Sequence, residues 1–425
     1  MLLIGLLATA APAPAAKLRL RSVANLPPNA VRDLAIGPGG EVWMTSDHVG
    51  HYVARISRSG RLIRTFPVPG GGRPASIVRG PDGAMWFTLH EGNAVVRITR
   101  EGEMTRFDVP TPGAQPRGIA LGPDGALWVT LFGVHRVARL TTSGLWQEFS
   151  SGLTPGGEPL GITPGPDGAV WFTEARGSRI VRITPDGAVR GFQVSNVSGP
   201  EDVALGIDRN LWFTEDDGDR VGRVTPGGSV REFQAGIRPG NNPFNIAPGP
   251  DDAMWFTESV GSAVARVTVD GGIREYKLPR GSTPRAVITG PDGMVWLALA
   301  GSGRVVRFRP PLAPVVPARL TIRYRTAGGI TRFSQFTVRE LPQGARVVAT
   351  CRGRGCPLRR FAMRGKRVNL RPRIRALGQG AHLDLRVQAR GYSTMVRLLS
   401  AGSADLRIEK RCIAPKSRTL RKGCG

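Results

Sequence analysis

Along most of the chain, short apolar runs alternate with breaks rich in glycine and proline. In 116–149, "PRGIALGPDGALWVTLFGVHRVARLTTSGLWQEF", four runs of β-branched or large apolar residues are separated by turn sequences. No helical apolar spacing of three and four survives between the breaks, so helices are not expected. In "GPDG" the fixed φ of proline suits the second position of a type I turn, and glycine supplies the positive φ that ends it. The predicted unit is a four-stranded antiparallel sheet in about 42 residues.

The unit repeats. Trp43, Trp86, Trp128, Trp171, Trp212, Trp255 and Trp296 are spaced by 43, 42, 43, 41, 43 and 41 residues, and only Trp146 is off the pattern. Arg55, Arg97, Arg139, Arg182, Arg223, Arg266 and Arg307 follow, 12 residues after the tryptophan in the first unit and 11 in the others. So long an unbroken period indicates a stacked or circular array. Seven four-stranded units make an all-β, seven-bladed propeller. The last unit shows only three runs, ending near 304–310, while "LRLRSVA" at 18–24 precedes the first. The N-terminal run is therefore expected to complete the last blade and close the ring. A residue present in every blade cannot mark a unique site. The tryptophan, arginine and glycine columns read as architecture, with each indole packed between neighbouring blades.

Candidate chemistry lies where the repeat varies. The position 11 before each tryptophan holds Arg32, Ala75, Arg117, Leu160, Glu201, Phe244 and Arg285. The position 3 after it holds Ser46, Leu89, Leu131, Glu174, Glu215, Glu258 and Leu299. Inner strands and the loops after second strands both reach one rim of a propeller, so both columns are expected to line its mouth. Glu174, Glu215 and Glu258, with Glu158 beside them, read as a hard-cation site for Mg2+ or Ca2+. Arg32, Arg117, Arg285 and Glu201 read as a clamp for a polar ligand. The same charges also suit a network of ion pairs along a solvated channel. His48, His51, His90 and His135 follow the second strands of blades one to three. An imidazole there is a candidate base near neutral pH, and His90 and His135 are carried as ligand contacts.

The two ends change the picture. Residues 1–16 combine a short apolar run with A-x-A patterns and read as a signal peptide without a basic start. That run is too short to anchor in a bilayer, and no other segment approaches membrane-spanning length. A secreted or envelope location is expected. A proline-rich linker at 310–317 leads to a second domain, 318–425. There "ARLTIRYRT", "RFSQFTVREL" and "AHLDLRVQA" alternate like half-buried strands, predicting a small β-sandwich-like fold. This domain holds 26 Lys+Arg against 4 Asp+Glu, most of the chain's net charge of +27. An anionic envelope polymer is the expected partner. Nucleic acid is not, because no recognition motif is present and few aromatics are available for base stacking. Cys351, Cys356, Cys412 and Cys424 fall in this domain. Export and an even count favour disulfides, most simply between neighbours, over a zinc site with unsuited spacing. No G-x-S-x-G elbow, Walker loop or H-E-x-x-H is present.

The pattern P-x-x-I-x-x-GPDG-x-x-WFTE…I-x-RI-T-x-x-G, clearest in "PLGITPGPDGAVWFTEARGSRIVRITPDG" at 159–187, resembles the virginiamycin B (streptogramin) lyase family over about residues 18–310. The resemblance implies linearisation of cyclic depsipeptides by elimination at an ester. It also implies a histidine base and a magnesium ion held partly by carboxylates. Glu174, Glu215 and Glu258 match the family's "WFTE" glutamate. Where the family has "P-H-x-I" histidines, this chain has Arg117, Leu160, Phe244 and Arg285. The expected function is an exported propeller that binds a small molecule, peptide or partner at its mouth. The alternative is an Mg-dependent lyase opening a cyclic depsipeptide.

Overall fold

The computed structural model describes residues 18–26, 31–47, 50–195, 198–311, 319–341, 345–353, 356–357, 360–365, 367–388, 394–401 and 406–413. The signal peptide, His48, most of the linker and a Cys412–Cys424 pairing lie outside the described residues. The described chain is all-β apart from two single-turn 3-10 segments, Phe132–Val134 and Ala300–Ser302. No helix among the described residues is long and apolar enough to cross a membrane.

Seven four-stranded antiparallel sheets form the first unit. Blade one runs from inside to outside as Asp33–Ile36, Val42–Ser46, Tyr52–Ile56 and Leu62–Pro67. Blades two to six repeat that order. Blade seven takes three strands from 284–308 and its outer strand, Arg21–Asn25, from the other end of the sequence. Arg21 lies opposite Arg307 in that antiparallel pair. The ring is closed by the N-terminal strand, as the three-strand last unit requires, and the architecture is a seven-bladed β-propeller.

Second strands such as "LWVTL" in blade three are buried at every residue, because neighbouring blades cover both faces. Outer strands such as "MTRFD" keep exposed positions and can afford polar residues. Each repeated tryptophan is 0% exposed. Trp43 packs with Met85 and Phe87 of blade two, and Trp296 packs with Val42 and Met44 of blade one. On its own blade Trp171 stacks on Phe192, with ring centroids 5.2 Å apart. The aspartate of "GPDG" links the two scaffold columns. Asp167 accepts Trp171 Nε1 at 3.1 Å and Arg182 Nε at 2.5 Å. Burial pushes Asp167 up, but the bonds from Arg182 and Trp171 prevail and hold it below the usual carboxylate range. Asp82, Asp124, Asp208 and Asp292 make the same link in their blades.

A second compact unit begins at Pro310. One of its sheets joins Arg319–Ala327 to Ile330–Arg339, which also pairs with Val368–Asn369 and Ala376–Gly378. The other has five strands: Arg360–Arg364, Arg346–Arg352, His382–Gln388, Thr394–Ala401 and Leu406–Ile413. Phe336 and Val338 of the first meet Val347, Leu385 and Leu399 of the second in one core, a β-sandwich-like arrangement. Cys351 and Cys356 form a disulfide.

Candidate functional site

The mouth of the propeller is built from a break in each inner strand. In blade three Pro116 pairs with Leu131 and Ile119 with Val129, so Arg117 and Gly118 leave the regular ladder as a bulge. Thr130 fixes this backbone. Its hydroxyl accepts Gly118 N–H at 2.8 Å and donates to the Leu160 carbonyl of blade four at 2.7 Å. A Cβ on Gly118 would sit 2.4 Å from that carbonyl, so only glycine fits there. Thr45, Thr88, Thr173 and Thr214 likewise donate to the carbonyls of Ala75, Arg117, Glu201 and Phe244. Each threonine thus pins the mouth residue of the next blade. Their recurrence two residues after six of the seven repeated tryptophans was visible in the sequence, but nothing there tied them to the rim.

All seven residues 11 before a tryptophan line one cavity of about 490 Å³, open solvent included. Arg32, Arg117 and Arg285 share it with Glu201, Ala75, Leu160 and Phe244. Arg117 Nη2 lies 3.2 Å from Glu201 Oε1. The Arg285 guanidinium lies over the Phe244 ring at 5.0 Å, and Arg32 is 3.6 Å from Asp47. Burial, then repulsion from Arg117 and Arg285, pushes Arg32 down to about 10, against the pull of Asp47. That resistance to charging reflects a crowded cationic space.

Two acids that sequence reasoning missed, Asp33 and Asp202, also line the cavity. Asp33 accepts from Ser76 Oγ and Ile77 N at 2.8 and 3.0 Å; Asp202 accepts from Asn245 Nδ2 and Ile246 N at 2.7 and 3.0 Å. They latch blade one to two and blade five to six. Burial pushes Asp202 up to about 7 despite the Ile246 amide, and raises Asp33 and Glu201 as well. Their signal was position alone, one residue after the variable column.

The other column behaves differently, which corrects an expectation. Glu174, Glu215 and Glu258 are at most 1% exposed and do not line the mouth. They end second strands that are covered on both faces, so each carboxylate must find a partner locally. Glu174 accepts Thr154 N, Thr154 Oγ1 and Arg179 Nε at 3.0, 2.6 and 3.0 Å. Glu215 lies 3.1 Å from Arg220 Nε, off hydrogen-bond alignment. In blade six Ala263 stands opposite Glu258, and the Asn241 amide bridges Glu258 to Glu275 instead. Burial, then the Glu232 charge, pushes Glu215 up to about 8. Burial, then its contact with Glu275, raises Glu258 strongly. Glu158 pairs with Arg176 at 3.0 Å. These four glutamates do not converge, and no group of three His, Cys, Asp or Glu among the described residues is placed to hold a metal.

His90 and His135 lie outside the cavity lining. The His90 ring is 6.1 Å from Phe132. Burial, then Arg117, Arg73 and Arg32, pushes its pKa below the usual value, so the imidazole is neutral near pH 7. Nδ1 of His90 is buried without a hydrogen-bond partner, as is Nδ1 of His135.

The chain matches the virginiamycin B lyase family over residues 24–154 and 152–313. It belongs to this family. A streptogramin B lyase structure is 30% identical, covering 68% of this chain and 96% of its own, with a TM-score of 0.64. Staphylococcus aureus virginiamycin B lyase is 29% identical, covering 69% of this chain and 99% of its own, with a TM-score of 0.65. A catalytically inactive histidine-to-alanine variant of that enzyme, with quinupristin, matches at 29% identity and a TM-score of 0.64, over 69% of this chain and 99% of its own. No curated protein matches the chain. Within the family frame, the Mg2+ that the resemblance implies does not fit this mouth. Three guanidiniums repel a divalent cation, Glu201 is engaged by Arg117, and Asp33 and Asp202 are taken up by the inter-blade latches.

Proposed function

We propose that the propeller binds an anionic small molecule or peptide at its mouth. Arg32, Arg117 and Arg285 would hold its carboxylate or phosphate groups, and Phe244 with Leu160 would receive its apolar part. The supporting observation is the convergence of three guanidiniums on one cavity, with Glu201 the one glutamate in its lining. Guanidinium–anion hydrogen bonds are short, directional and strengthened by partial burial. The test is calorimetric titration of the full chain with citrate and with inorganic phosphate. Wild type should bind, and replacing all three arginines by glutamine should abolish binding. Failure of wild type to bind either anion would remove the reading.

The same proposal places the protein outside the cytoplasm, which the Cys351–Cys356 disulfide supports. The basic second unit would hold it to an anionic envelope polymer. Retention on anionic wall material should then fall steeply with added salt.

A second reading, a lyase, is favoured by the family match, with His90, neutral and beside Arg117, as its candidate base. In an ester elimination a base removes a proton from the carbon next to the one bearing the oxygen. The C–O bond breaks, a C=C bond forms and a carboxylate leaves. His90 would take the proton, and the arginines complement the departing carboxylate. Quinupristin incubated with the full chain, with and without Mg2+, tests this. Elimination changes chromatographic retention without changing mass, whereas hydrolysis adds a water. Ring opening lost in His90→Ala and kept in Glu174→Gln supports the lyase; absence of turnover leaves the binding module.

A further inference from the structure

Residues beyond 313 lie outside the family match, and they form a groove of their own. A groove with about 1520 Å³ of open volume lies on the smaller sheet of the second unit. Tyr324, Arg325, Arg332, Ser334, Arg371 and Arg375 line it, and no carboxylate does. Arg325 stands directly across the antiparallel ladder from Arg332, a like-charge pairing that destabilises a sheet unless an anion sits between the two. Arg332 in turn faces Ala376, the neighbour of Arg375. Arg386 pairs with Asp384 and Arg407 with Glu409, both on the other sheet. None of the four groove guanidiniums has a carboxylate partner among the described residues. The propeller contrasts with this, because five of its repeated arginines pair with the aspartate of the turn before the tryptophan.

Charge alone would suit any anion, but the rest of the lining is selective. The Tyr324 ring is exposed and is backed edge-on by Phe333, with centroids 6.5 Å apart. A partly exposed aromatic side chain at the groove suits the apolar face of a sugar ring. Ser334 and Asn369, a hydroxyl and an amide at the same groove, suit sugar hydroxyls. Four guanidiniums lining one groove match several anionic groups rather than a single one. We infer that this groove binds an acidic polysaccharide, a glycan chain with a carboxylate or sulfate on successive sugars. The inference rests on the proposed attraction of this unit to anionic polymers and gives that attraction a place and a chemistry.

The experiment measures binding of the full chain to polygalacturonate, to polyphosphate as an anion without sugar, and to neutral dextran. The groove variant is Arg332→Gln with Arg375→Gln. The control removes the same charge from the other sheet, Arg346→Gln with Arg364→Gln. The groove variant should weaken polygalacturonate binding by about tenfold or more, and the control should stay within about twofold. Tyr324→Ala should weaken polygalacturonate binding and leave polyphosphate binding unchanged. Because Arg332→Gln relieves the facing Arg325, its thermal midpoint should be equal to or above that of wild type. Equal weakening by groove and control variants would overturn the groove while leaving diffuse attraction intact. Polyphosphate bound as tightly as polygalacturonate, with Tyr324→Ala without effect on either, would overturn the sugar recognition. Absence of wild-type binding to both polyanions would overturn the groove and the underlying attraction together.

Discussion

Arg32, Arg117, Glu201 and Arg285 on the inner strands open onto one cavity, while Glu174, Glu215 and Glu258 at the ends of second strands each close onto a neighbour in their own blade. Both sets vary around an otherwise regular ring, and both carry charge. The inner strand leaves its ladder at the bulge, so the residue there is free to face the channel. The second strand is covered on both faces, so a charged residue at its end is sealed in and is matched nearby, on the facing strand for Glu174 and Glu215 and by Asn241 for Glu258. Arg179 stands opposite Glu174 and Arg220 opposite Glu215 for that reason. Variation in a repeat therefore has two sources, a site shared by all blades and a buried partnership private to one, and burial tells them apart.

Several measurements would break or sharpen that contrast. The largest effect belongs to neither column but to the girdle that holds both. Trp171→Ala should cost about 3–5 kcal/mol in urea unfolding, because it empties a packed interface between blades. A cost near that of a surface substitution would mean that the indoles are not the cement of the ring.

Next comes the sealed column. Glu215 titrates at about 8 in the folded chain, above its unfolded value near 4.3. Between those pH values the folded state keeps a proton that the unfolded state has lost. Stability from this group is complete below pH 4.3 and falls as pH rises towards 8, by at most about 1.4 kcal/mol per unit. Denaturant midpoints measured across that window should decline in wild type and flatten in Glu215→Gln.

The open column should show the reverse. Arg285→Gln should change stability by no more than about 0.5 kcal/mol, since Arg285 has a ring beneath it rather than a buried charge partner. Its affinity for citrate should fall by about tenfold. The smallest effect is a pH trend in anion affinity. As pH rises through about 7, Asp202 gains a negative charge beside the mouth, so sulfate, an anion that does not titrate in this range, should bind a few-fold more weakly. Asp202→Asn should remove the trend.

Much of this was legible from periodicity. The tryptophan spacing gave the blade number, the incomplete last unit gave the closure by 18–24, and the position 11 before each tryptophan gave the cavity lining. Alternation in 318–425 gave a β-sandwich-like unit, and the even cysteine count with neighbours paired gave the Cys351–Cys356 disulfide. What was not legible depends on direction and pairing. A strand pattern does not say that residues such as Glu174 are sealed rather than presented, because that depends on the next blade. The strand pattern gives Thr130 no role, because its bond to the Leu160 carbonyl exists only once two blades meet. The facing of Arg325 and Arg332 needed the ladder register, in which a shift between Arg323 and Tyr324 decides which side chains oppose each other.

The most direct test titrates citrate into wild type, Arg285→Gln and Glu174→Gln under one buffer and temperature. The account predicts a loss of about tenfold in Arg285→Gln and a change within about twofold in Glu174→Gln. Binding that survives in Arg285→Gln and collapses in Glu174→Gln, with both proteins folded, would contradict it.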